Sequence, residues 1–223
     1  MQISKVLNIG RGVTALIGGG GKTTLMEKLA CELSANGTVI MTTSTKIRRP
    51  QTVETLLDPT AEEVTAALAR ERIVCVASAG PEGKLSAPQM RFEELARLAD
   101  YVIVEADGAK MLPLKAHLSH EPVIPENAQR VVMVIGADGF GRPIAQVCHR
   151  SALYAELAGA NEQSAVTPEL EARVLRAEGG FDRIYVNKVE DESAYQAAQR
   201  LAELMDCPVV AGSLHKEVYV CLS

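Results

Sequence analysis

The sequence predicts an α/β fold in which a mainly parallel sheet carries helices on both faces. Apolar runs of strand length alternate with segments of helical periodicity, and several of these runs are apolar throughout. Four consecutive glycines also separate the first predicted strand from the first predicted helix. With 223 residues, 47% of them hydrophobic and 23% charged, the chain is expected to form a single globular domain over residues 1–223.

The first strand and helix have the clearest pattern. Val13–Ile17 is predicted as a strand, and the helix after it runs from Lys22 to Ala35, with a leucine at every fourth position from Leu25 onwards. Asn36 and Gly37 end that helix. The other predicted strands are 38–43, 73–77, 101–104, 130–135, 183–186 and 208–211. The other predicted helices are 61–70, 91–99, 149–158, 167–178 and 193–205.

Three segments are predicted to be irregular. Residues 44–50 contain charges and end in a proline, and residues 80–88 are rich in turn-forming residues. Residues 106–127 are divided by prolines and charges and have weak periodicity, so we expect a long functional loop or small insertion there.

Composition argues against two classes of partner. The net charge of −5, the absence of tryptophan and an aromatic content of 4% are unfavourable for binding nucleic acid through phosphate neutralisation or base stacking. No apolar stretch approaches the roughly 20 residues needed to span a bilayer, and the first residues do not have the pattern of a signal peptide. We therefore expect no membrane association. The five cysteines are scattered without a CxxC pair, so we expect a reducing, cytoplasmic location.

The glycine-rich turn predicts a phosphate-binding loop. Without Cβ atoms, the backbone can direct successive N–H groups at an anion, and the N-terminus of the following helix adds partial positive charge. Lys22 is expected to reach the β- and γ-phosphates, and the Thr23 hydroxyl is expected to bind Mg²⁺. The eight-residue phosphate-loop pattern, G-x-x-x-x-G-K-T, requires a glycine at position 16, where this chain has Leu16. The loop is therefore closer to the shorter pattern G-x-x-G-K-T, as in Mur-type ligases. The predicted binding residues are Gly18, Gly19, Gly20, Gly21, Lys22, Thr23 and Thr24; the alternative is a flexible glycine turn that happens to precede a lysine.

A second signal is the acidic segment after the strand 101–104. In a parallel sheet, Glu105 would lie beside the phosphate loop, where it can hold Mg²⁺ or polarise an attacking water. The spacing from Glu105 to Gly108 resembles the E-x-x-G segment that replaces D-x-x-G in several metallocentre-maturation GTPases and dethiobiotin synthetase-like proteins. Glu105 is the predicted metal ligand with Thr23, Asp107 competes for that role, and the Gly108 amide would sense the γ-phosphate. The alternative is an acid that caps the next turn.

A third signal follows the strand 183–186. Asn187 and Lys188 resemble the start of the N-K-x-D base-recognition motif of GTP-binding proteins, but the fourth position is Glu190 and the aspartate, Asp191, comes one residue later. Ser213, after the last predicted strand, lies where such proteins place a base-contacting loop. This pattern favours GTP slightly over ATP. The alternative is that Asp191 caps the next helix.

Several other polar residues have weaker patterns. The basic residues after the second strand and in the 106–127 segment are expected at the carboxyl edge of the sheet, where they would hold an anionic substrate or be solvated. These residues are Lys46, Arg48, Arg49, Lys110 and Lys115. A second possible site, for a metal or a chalcogen, combines Cys148, His149 and Arg150 with His117 and His120. The alternative is that these residues have incidental structural roles.

The chain resembles the YqeC family over nearly its whole length. The matching segments, in order, are GGGGKTTLM, TTSTKI, VEADGAKMLPLKAH, EPVIP, GADGFGRPI, His149-Arg150 and VNKVED. The family is described as accessory proteins for selenium-dependent molybdenum hydroxylases and as selenium-cofactor biosynthesis proteins. The resemblance implies a P-loop NTPase fold that uses ATP or GTP with Mg²⁺, and a molybdenum hydroxylase client or a cofactor-biosynthesis protein as partner.

The predicted function is therefore a Mg-dependent NTP hydrolase that assists maturation or insertion of a selenium-containing molybdenum cofactor, with Lys22, Glu105 and Asp107 as candidate catalytic residues. Two alternatives stay open. One is a small-molecule kinase or ligase in which Lys46, Arg48 and Lys110 hold the acceptor. The other is a nucleotide-gated binding module with little turnover.

Overall fold

The computed structural model describes all residues 1–223 and contains thirteen β-strands and eight α-helices. The strands are β1 (Gly12–Gly18), β2 (Val39–Thr43), β3 (Lys46–Ile47), β4 (Glu54–Leu57), β5 (Ile73–Ala79), β6 (Leu85–Ser86), β7 (Tyr101–Glu105), β8 (Leu114–Lys115), β9 (Ala128–Gly136), β10 (Cys148–His149), β11 (Arg183–Asn187), β12 (Val209–Ser213) and β13 (Val218–Cys221). The helices are α1 (Ile3–Val6), α2 (Lys22–Leu33), α3 (Ala61–Glu71), α4 (Phe92–Leu98), α5 (Ile144–Val147), α6 (Ser151–Ala158), α7 (Pro168–Glu178) and α8 (Glu192–Leu204).

Eleven strands form one sheet in the order β13-β12-β11-β9-β1-β7-β2-β5-β6-β3, and β4 pairs with β5 at the side. The long strands from β12 to β5 are parallel, and antiparallel pairing is confined to the ends, at β13 and at β6 with β3. Strand β1 lies between β7 and β9, so the loop after β1 emerges in the middle of the carboxyl edge. This is the edge where open α/β sheets bind ligands.

Helices cover both faces of the sheet, as predicted. Successive residues of a strand point to opposite faces. Ala15 and Ile17 of β1 accordingly pack into a core with residues of α6, α7 and α8. Leu16, between them, packs into a second core with residues of α1 and α2. A third cluster packs α3 and α4 against strands β1, β2, β5 and β7, from Val13 of β1 to Val104 of β7.

The predicted elements are present with ends shifted by at most two residues. The short elements α1, β3, β4, β6, β8, α5, β10 and β13 were not predicted, because a helix or strand of two to four residues is too short to show a period. Helix α6 begins at Ser151 instead of residue 149, since Cys148–His149 pairs with β8 and Arg150 is left-handed, with φ of 64°. Residues 106–127 are irregular apart from β8.

None of the helices combines the length and apolar character needed to cross a membrane. All five cysteines are free thiols.

Candidate functional site

The loop between β1 and α2 can be formed only by glycine. Gly18, Gly20 and Gly21 have φ values of 94°, 68° and 116°, a region that L side chains rarely adopt. A Cβ at Gly20 would lie 2.3 Å from the Gly136 nitrogen, and one at Gly19 would lie 2.6 Å from the Pro113 oxygen. Both backbone conformation and close packing therefore require the glycines.

Three of the four glycine amides in this loop donate hydrogen bonds inside the protein, whereas the sequence predicted that all four would face a phosphate. Gly18 N–H donates to Asp107 Oδ2 at 2.8 Å, and Gly19 N–H donates to the Val134 oxygen at 2.8 Å. Gly20 N–H donates to the Leu112 oxygen at 3.1 Å. These three donors are used inside the protein because β9 and the 106–127 segment pack against the loop.

Four consecutive amides remain without a protein acceptor: those of Gly21, Lys22, Thr23 and Thr24. They form the first turn of α2, whose first intrahelical bond runs from Leu25 N–H to the Gly21 oxygen. Unpaired first-turn amides and the positive end of the helix dipole together form an anion site. The candidate site is therefore shifted toward α2 relative to the sequence prediction.

Lys22 is buried among carboxylates. Its ammonium nitrogen is 3.0 Å from Asp107 Oδ1 and 3.9 Å from Glu105 Oε1, and it also donates to the Gly18 oxygen. Its side chain is only 4% exposed. A buried ammonium needs such partners, because an unpaired charge is costly to remove from water.

Glu105 ends β7 beside the glycine loop. It pairs with Leu16 of β1 in the parallel ladder, which brings its carboxylate to the start of α2. Thr23 Oγ1 donates to Glu105 Oε2 at 2.8 Å. Burial raises the pKa of Glu105, although the Lys22 charge and the Thr23 hydrogen bond oppose the shift. The two predicted metal ligands are thus in direct contact.

Asp107 is held by a cluster of donors that includes two residues given only weak roles from sequence. Besides Gly18 N–H, its Oδ2 is 3.1 Å from Lys115 Nζ and in hydrogen-bond contact with His117 Nε2. Burial disfavours its charge, but Lys22, His117 and Lys115 outweigh burial and hold the pKa of Asp107 well below its usual value. Lys115 is completely buried here and is not a solvated loop residue.

The His117 imidazole continues this cluster away from the loop. Its Nδ1 is 2.8 Å from Glu178 Oε2, and its backbone N–H donates to Glu178 Oε1 at 2.6 Å. Glu178 was not predicted as a site residue, because a glutamate in the last turn of an amphipathic helix carries no distinguishing local signal. The exposed residue Gly108 contributes its oxygen to Lys115 Nζ at 2.7 Å.

The segment after β11 also reaches the glycine loop. Asn187 is buried and donates to the Gly20 oxygen at 2.8 Å. Lys188 pairs with Asp138 at 2.8 Å. Glu190 Oε1 accepts a hydrogen bond of 2.7 Å from Ser213 Oγ. Asp191 is the N-cap of α8 and accepts from Ala194 N–H at 2.8 Å, as the alternative interpretation expected.

A cavity of about 810 Å³ opens beside the free amides. Gly21 and Thr24 line it on the side of α2, and the predicted base-recognition residues line it on the other side, together with Asp138 and Phe140. Those residues are Asn187, Lys188, Glu190, Asp191 and Ser213. The structure thus brings the first-turn amides and the 187–191 segment to one cavity of ligand size.

The alternative metal or chalcogen site is not assembled. No group of three or more His, Cys, Asp or Glu side chains is arranged to hold a metal ion. Cys148 is buried, and burial raises the pKa of its thiol. Arg150 instead pairs with Glu121 at 2.6 Å, and this hydrogen bond, with that of Lys115, lowers the pKa of Glu121 to about 2.

Comparison with known proteins identifies the family. A protein of Escherichia coli (strain K12), described as uncharacterized protein YqeC, is 31% identical over 182 residues, which cover 77% of this chain and 71% of that protein. The signal recognition particle 54 kDa protein from Aeropyrum pernix K1, solved in complex with GDP, aligns with a TM-score of 0.44 and 15% identity over 95% of this chain. The chain spans 44% of the length of that protein. The YqeC protein family matches residues 14–152, more than half of the sequence. The chain belongs to the YqeC family.

Proposed function

We propose that this protein binds a Mg-nucleoside triphosphate, ATP or GTP, and hydrolyses it to assist maturation or insertion of a selenium-containing molybdenum cofactor. One observation carries the nucleotide part of the proposal. The four free amides from Gly21 to Thr24 lie at the carboxyl edge of a parallel sheet with Lys22, Thr23 and Glu105 beside them. Free amides, a lysine and a hydroxyl–carboxylate pair are the groups that a polyphosphate with its metal requires.

The residues present fit Mg²⁺. This ion prefers hard oxygen ligands and is usually held by one or two protein oxygens together with phosphates and water. Thr23 Oγ1 and a Glu105 oxygen, 2.8 Å apart, supply such a pair. Asp107 is a poorer candidate, because Gly18, Lys115 and His117 already occupy its Oδ2. A bound Mg²⁺ would neutralise charge on the β- and γ-phosphate oxygens.

When the nucleotide binds, the Lys22 ammonium group would leave Asp107 and pair with the β- and γ-phosphates. This ammonium group donates to the Gly18 oxygen, in the glycine loop that leads into the free amides, and a γ-phosphate carries more negative charge than one carboxylate. Lys22 and the first-turn amides would then stabilise the charge that develops on the transferring phosphoryl group. The base would occupy the cavity of about 810 Å³, with Glu190 as the acid that faces guanine and a slight preference for GTP.

The selenium and molybdenum part rests on the family resemblance. The partner would be a molybdenum hydroxylase client or another cofactor-biosynthesis protein, and hydrolysis would drive the insertion step.

A kinase or ligase is the second candidate, and one observation favours it. Lys46, Arg48, Arg49 and Lys110 form no ion pair, and Arg48 Nη2 contacts Met111 Sδ at 3.2 Å, next to Lys110. This contact places Arg48 beside the turn whose Leu112 oxygen accepts from Gly20 N–H, and in this second proposal the unpaired cations would bind a carboxylate or phosphate acceptor there.

The test is a thermal-shift screen of ATP, GTP and their diphosphates with and without Mg²⁺, followed by measurement of phosphate release. A triphosphate at 100 times its Kd should stabilise the fold by about 2.7 kcal/mol. No stabilisation by any nucleotide would refute the proposal. Binding without phosphate release would indicate a nucleotide-gated module, and release stimulated by small anionic acceptors instead of by a protein would indicate the kinase or ligase.

A further inference from the structure

A buried chain of hydrogen bonds leads from the glycine loop to the end of α7. Gly18 N–H donates to Asp107 Oδ2, His117 Nε2 contacts the same oxygen, and His117 Nδ1 is 2.8 Å from Glu178 Oε2. The side chains of Asp107, His117 and Glu178 are exposed by only 0%, 5% and 10%. The proposed nucleotide site involves Asp107, through its ion pair with Lys22, but it gives no role to His117 or Glu178.

The two oxygens of Asp107 have different surroundings. Three donors converge on Oδ2: Gly18 N–H, Lys115 Nζ and His117 Nε2. Oδ1 accepts no well-formed hydrogen bond although it is buried, and it faces Lys22 Nζ at 3.0 Å. Oδ1 would lose this partner when Lys22 turns to the phosphates, and it would then be free to accept a hydrogen bond from water. The carboxylate is therefore fixed through one oxygen and presents the other to Lys22.

The His117 imidazole links Asp107 to Glu178 through its two ring nitrogens. Carboxylates accept hydrogen bonds from both ring nitrogens, which requires both nitrogens to carry protons. Burial disfavours the charged ring, but the hydrogen bonds to Asp107 and Glu178 outweigh burial and raise the pKa of His117. Glu178 also accepts from the His117 backbone N–H, so it fixes the backbone and the ring of His117 together.

We propose that His117, oriented by Glu178, is a positioning residue that holds Asp107 so that Oδ1 faces the terminal phosphate and orients the attacking water. This inference rests on the proposed hydrolysis and adds the residues that align its nucleophile. The water oxygen bonds to the γ-phosphorus while the bond from that phosphorus to the bridging oxygen breaks. The electron pair of the broken bond leaves with the nucleoside diphosphate, and the water protons pass to the inorganic phosphate and solvent. Asp107 only accepts a hydrogen bond from the water.

The first experiment separates positioning from binding. We expect His117→Ala to lower kcat by roughly tenfold or more, as for loss of a group that acts in the transition state, while the Kd of Mg-GTP or Mg-ATP changes by less than about twofold. Glu178→Gln should lower kcat less, and added imidazole should restore part of the kcat of His117→Ala. The matched control is His120→Ala, since His120 is an exposed histidine of the same segment.

A purely structural His117 would give a different pattern. Affinity and kcat would then fall together with thermal stability, and imidazole would restore neither. That result, or an unchanged kcat in His117→Ala, would overturn the inference.

The second experiment needs no nucleotide. Nitrogen NMR of the imidazoles in the full chain should show His117 doubly protonated at neutral pH, since both of its ring nitrogens face carboxylates. Glu178→Gln should weaken this protonation. A neutral His117 in a protein that hydrolyses nucleotide would overturn the positioning role alone. A doubly protonated His117 in a protein that neither binds nor hydrolyses nucleotide would refute the proposed function, and the role of Asp107 in orienting water with it.

Discussion

Asn187 Nδ2 donates a hydrogen bond of 2.8 Å to the Gly20 oxygen and so joins the end of β11 to the glycine loop. The same side chain accepts from Leu214 N–H at 3.2 Å and from the Tyr185 hydroxyl at 3.1 Å. One buried amide therefore fixes the phosphate loop relative to the loop that follows β12. The two halves of the proposed nucleotide site are held together at this residue.

Asn187→Asp should damage both halves. The substitution places a carboxylate oxygen against the Gly20 oxygen, and the loss of a buried hydrogen bond costs about 1–3 kcal/mol of unfolding free energy. We expect lower stability in urea and weaker binding of ATP and GTP alike, measured by calorimetry. The control is Asn161→Asp, which keeps the oxygen that accepts from Gln163 N–H. Unchanged affinity for both nucleotides would show that this bond does not shape the site.

Base preference should depend on Glu190 and not on Asp191. Glu190 lines the cavity, where Ser213 Oγ holds one of its oxygens, whereas Asp191 caps α8. A directional carboxylate–guanine contact contributes about 1.5–3 kcal/mol, or roughly tenfold or more in affinity. In competitive binding of GTP, ATP and XTP, we expect Glu190→Asn to shift preference toward XTP and Asp191→Asn to leave it unchanged. If ATP binds best and neither variant favours XTP, the guanine hypothesis is wrong.

Lys22→Ala should abolish stabilisation by Mg-triphosphate and also lower the stability of the free protein. Removing one partner of a buried ion pair typically costs about 3–5 kcal/mol, and here Lys115 and His117 still compensate Asp107. Adding Asp107→Asn to Lys22→Ala should lower the stability further, because Lys115 and His117 then lose a buried charge partner. Lys28→Ala, at the lysine that pairs with Glu217 farther along α2, is the matched control. Wild-type nucleotide affinity in Lys22→Ala, measured by calorimetry, would falsify the phosphate-loop assignment.

The two acidic residues should differ in their dependence on Mg²⁺. Because Glu105 contacts Thr23, we expect Glu105→Gln to raise the Mg²⁺ concentration required for turnover and to lower hydrolysis more than nucleotide binding. Asp107→Asn should lower kcat at an unchanged Mg²⁺ requirement. Titrations of phosphate release with Mg²⁺ measure both effects. The opposite assignment of the two variants would mean that Asp107 is the metal ligand.

Glu171 should make the fold less stable as the pH rises. Burial raises the pKa of Glu171 to about 7, and its side chain accepts a hydrogen bond from the Tyr154 hydroxyl. The folded state keeps this proton while the unfolded state loses it above the ordinary pKa of 4.5. Stability is therefore lost as the pH rises from about 4.5 to about 7, by a total on the order of 3 kcal/mol.

Glu171→Gln removes this titration and keeps the acceptor for Tyr154. In urea unfolding, the variant should gain stability relative to wild type as the pH rises from about 4.5 to about 7. Glu169→Gln, at an exposed glutamate of the same helix, is the control. A constant difference between Glu171→Gln and wild type across this range would show that Glu171 does not stay protonated in the fold.

Long elements were predictable because their signals are local. The continuous apolar run of β7 and the leucines of α2 specify a buried strand and an amphipathic helix without reference to distant residues. Strand β13 escaped prediction because its four residues are set by antiparallel pairing with β12, which depends on where β12 lies. The 106–127 segment was expected to be a loop, but its packing on the glycine loop depends on Leu112 and Pro113 reaching Gly19 and Gly20.

The sequence by itself determined the α/β fold, the position of the glycine loop at the start of α2 and the acidic residue at the end of β7. These follow from short-range periodicity and from a motif of consecutive residues. Only the tertiary structure decided which amides stay free, that Asn187 reaches the Gly20 oxygen, and that Glu178 supports His117 across 61 residues of chain. Hydrogen bonds between distant residues depend on how the strands are ordered in the sheet and how the helices pack on it, and no local pattern encodes that arrangement.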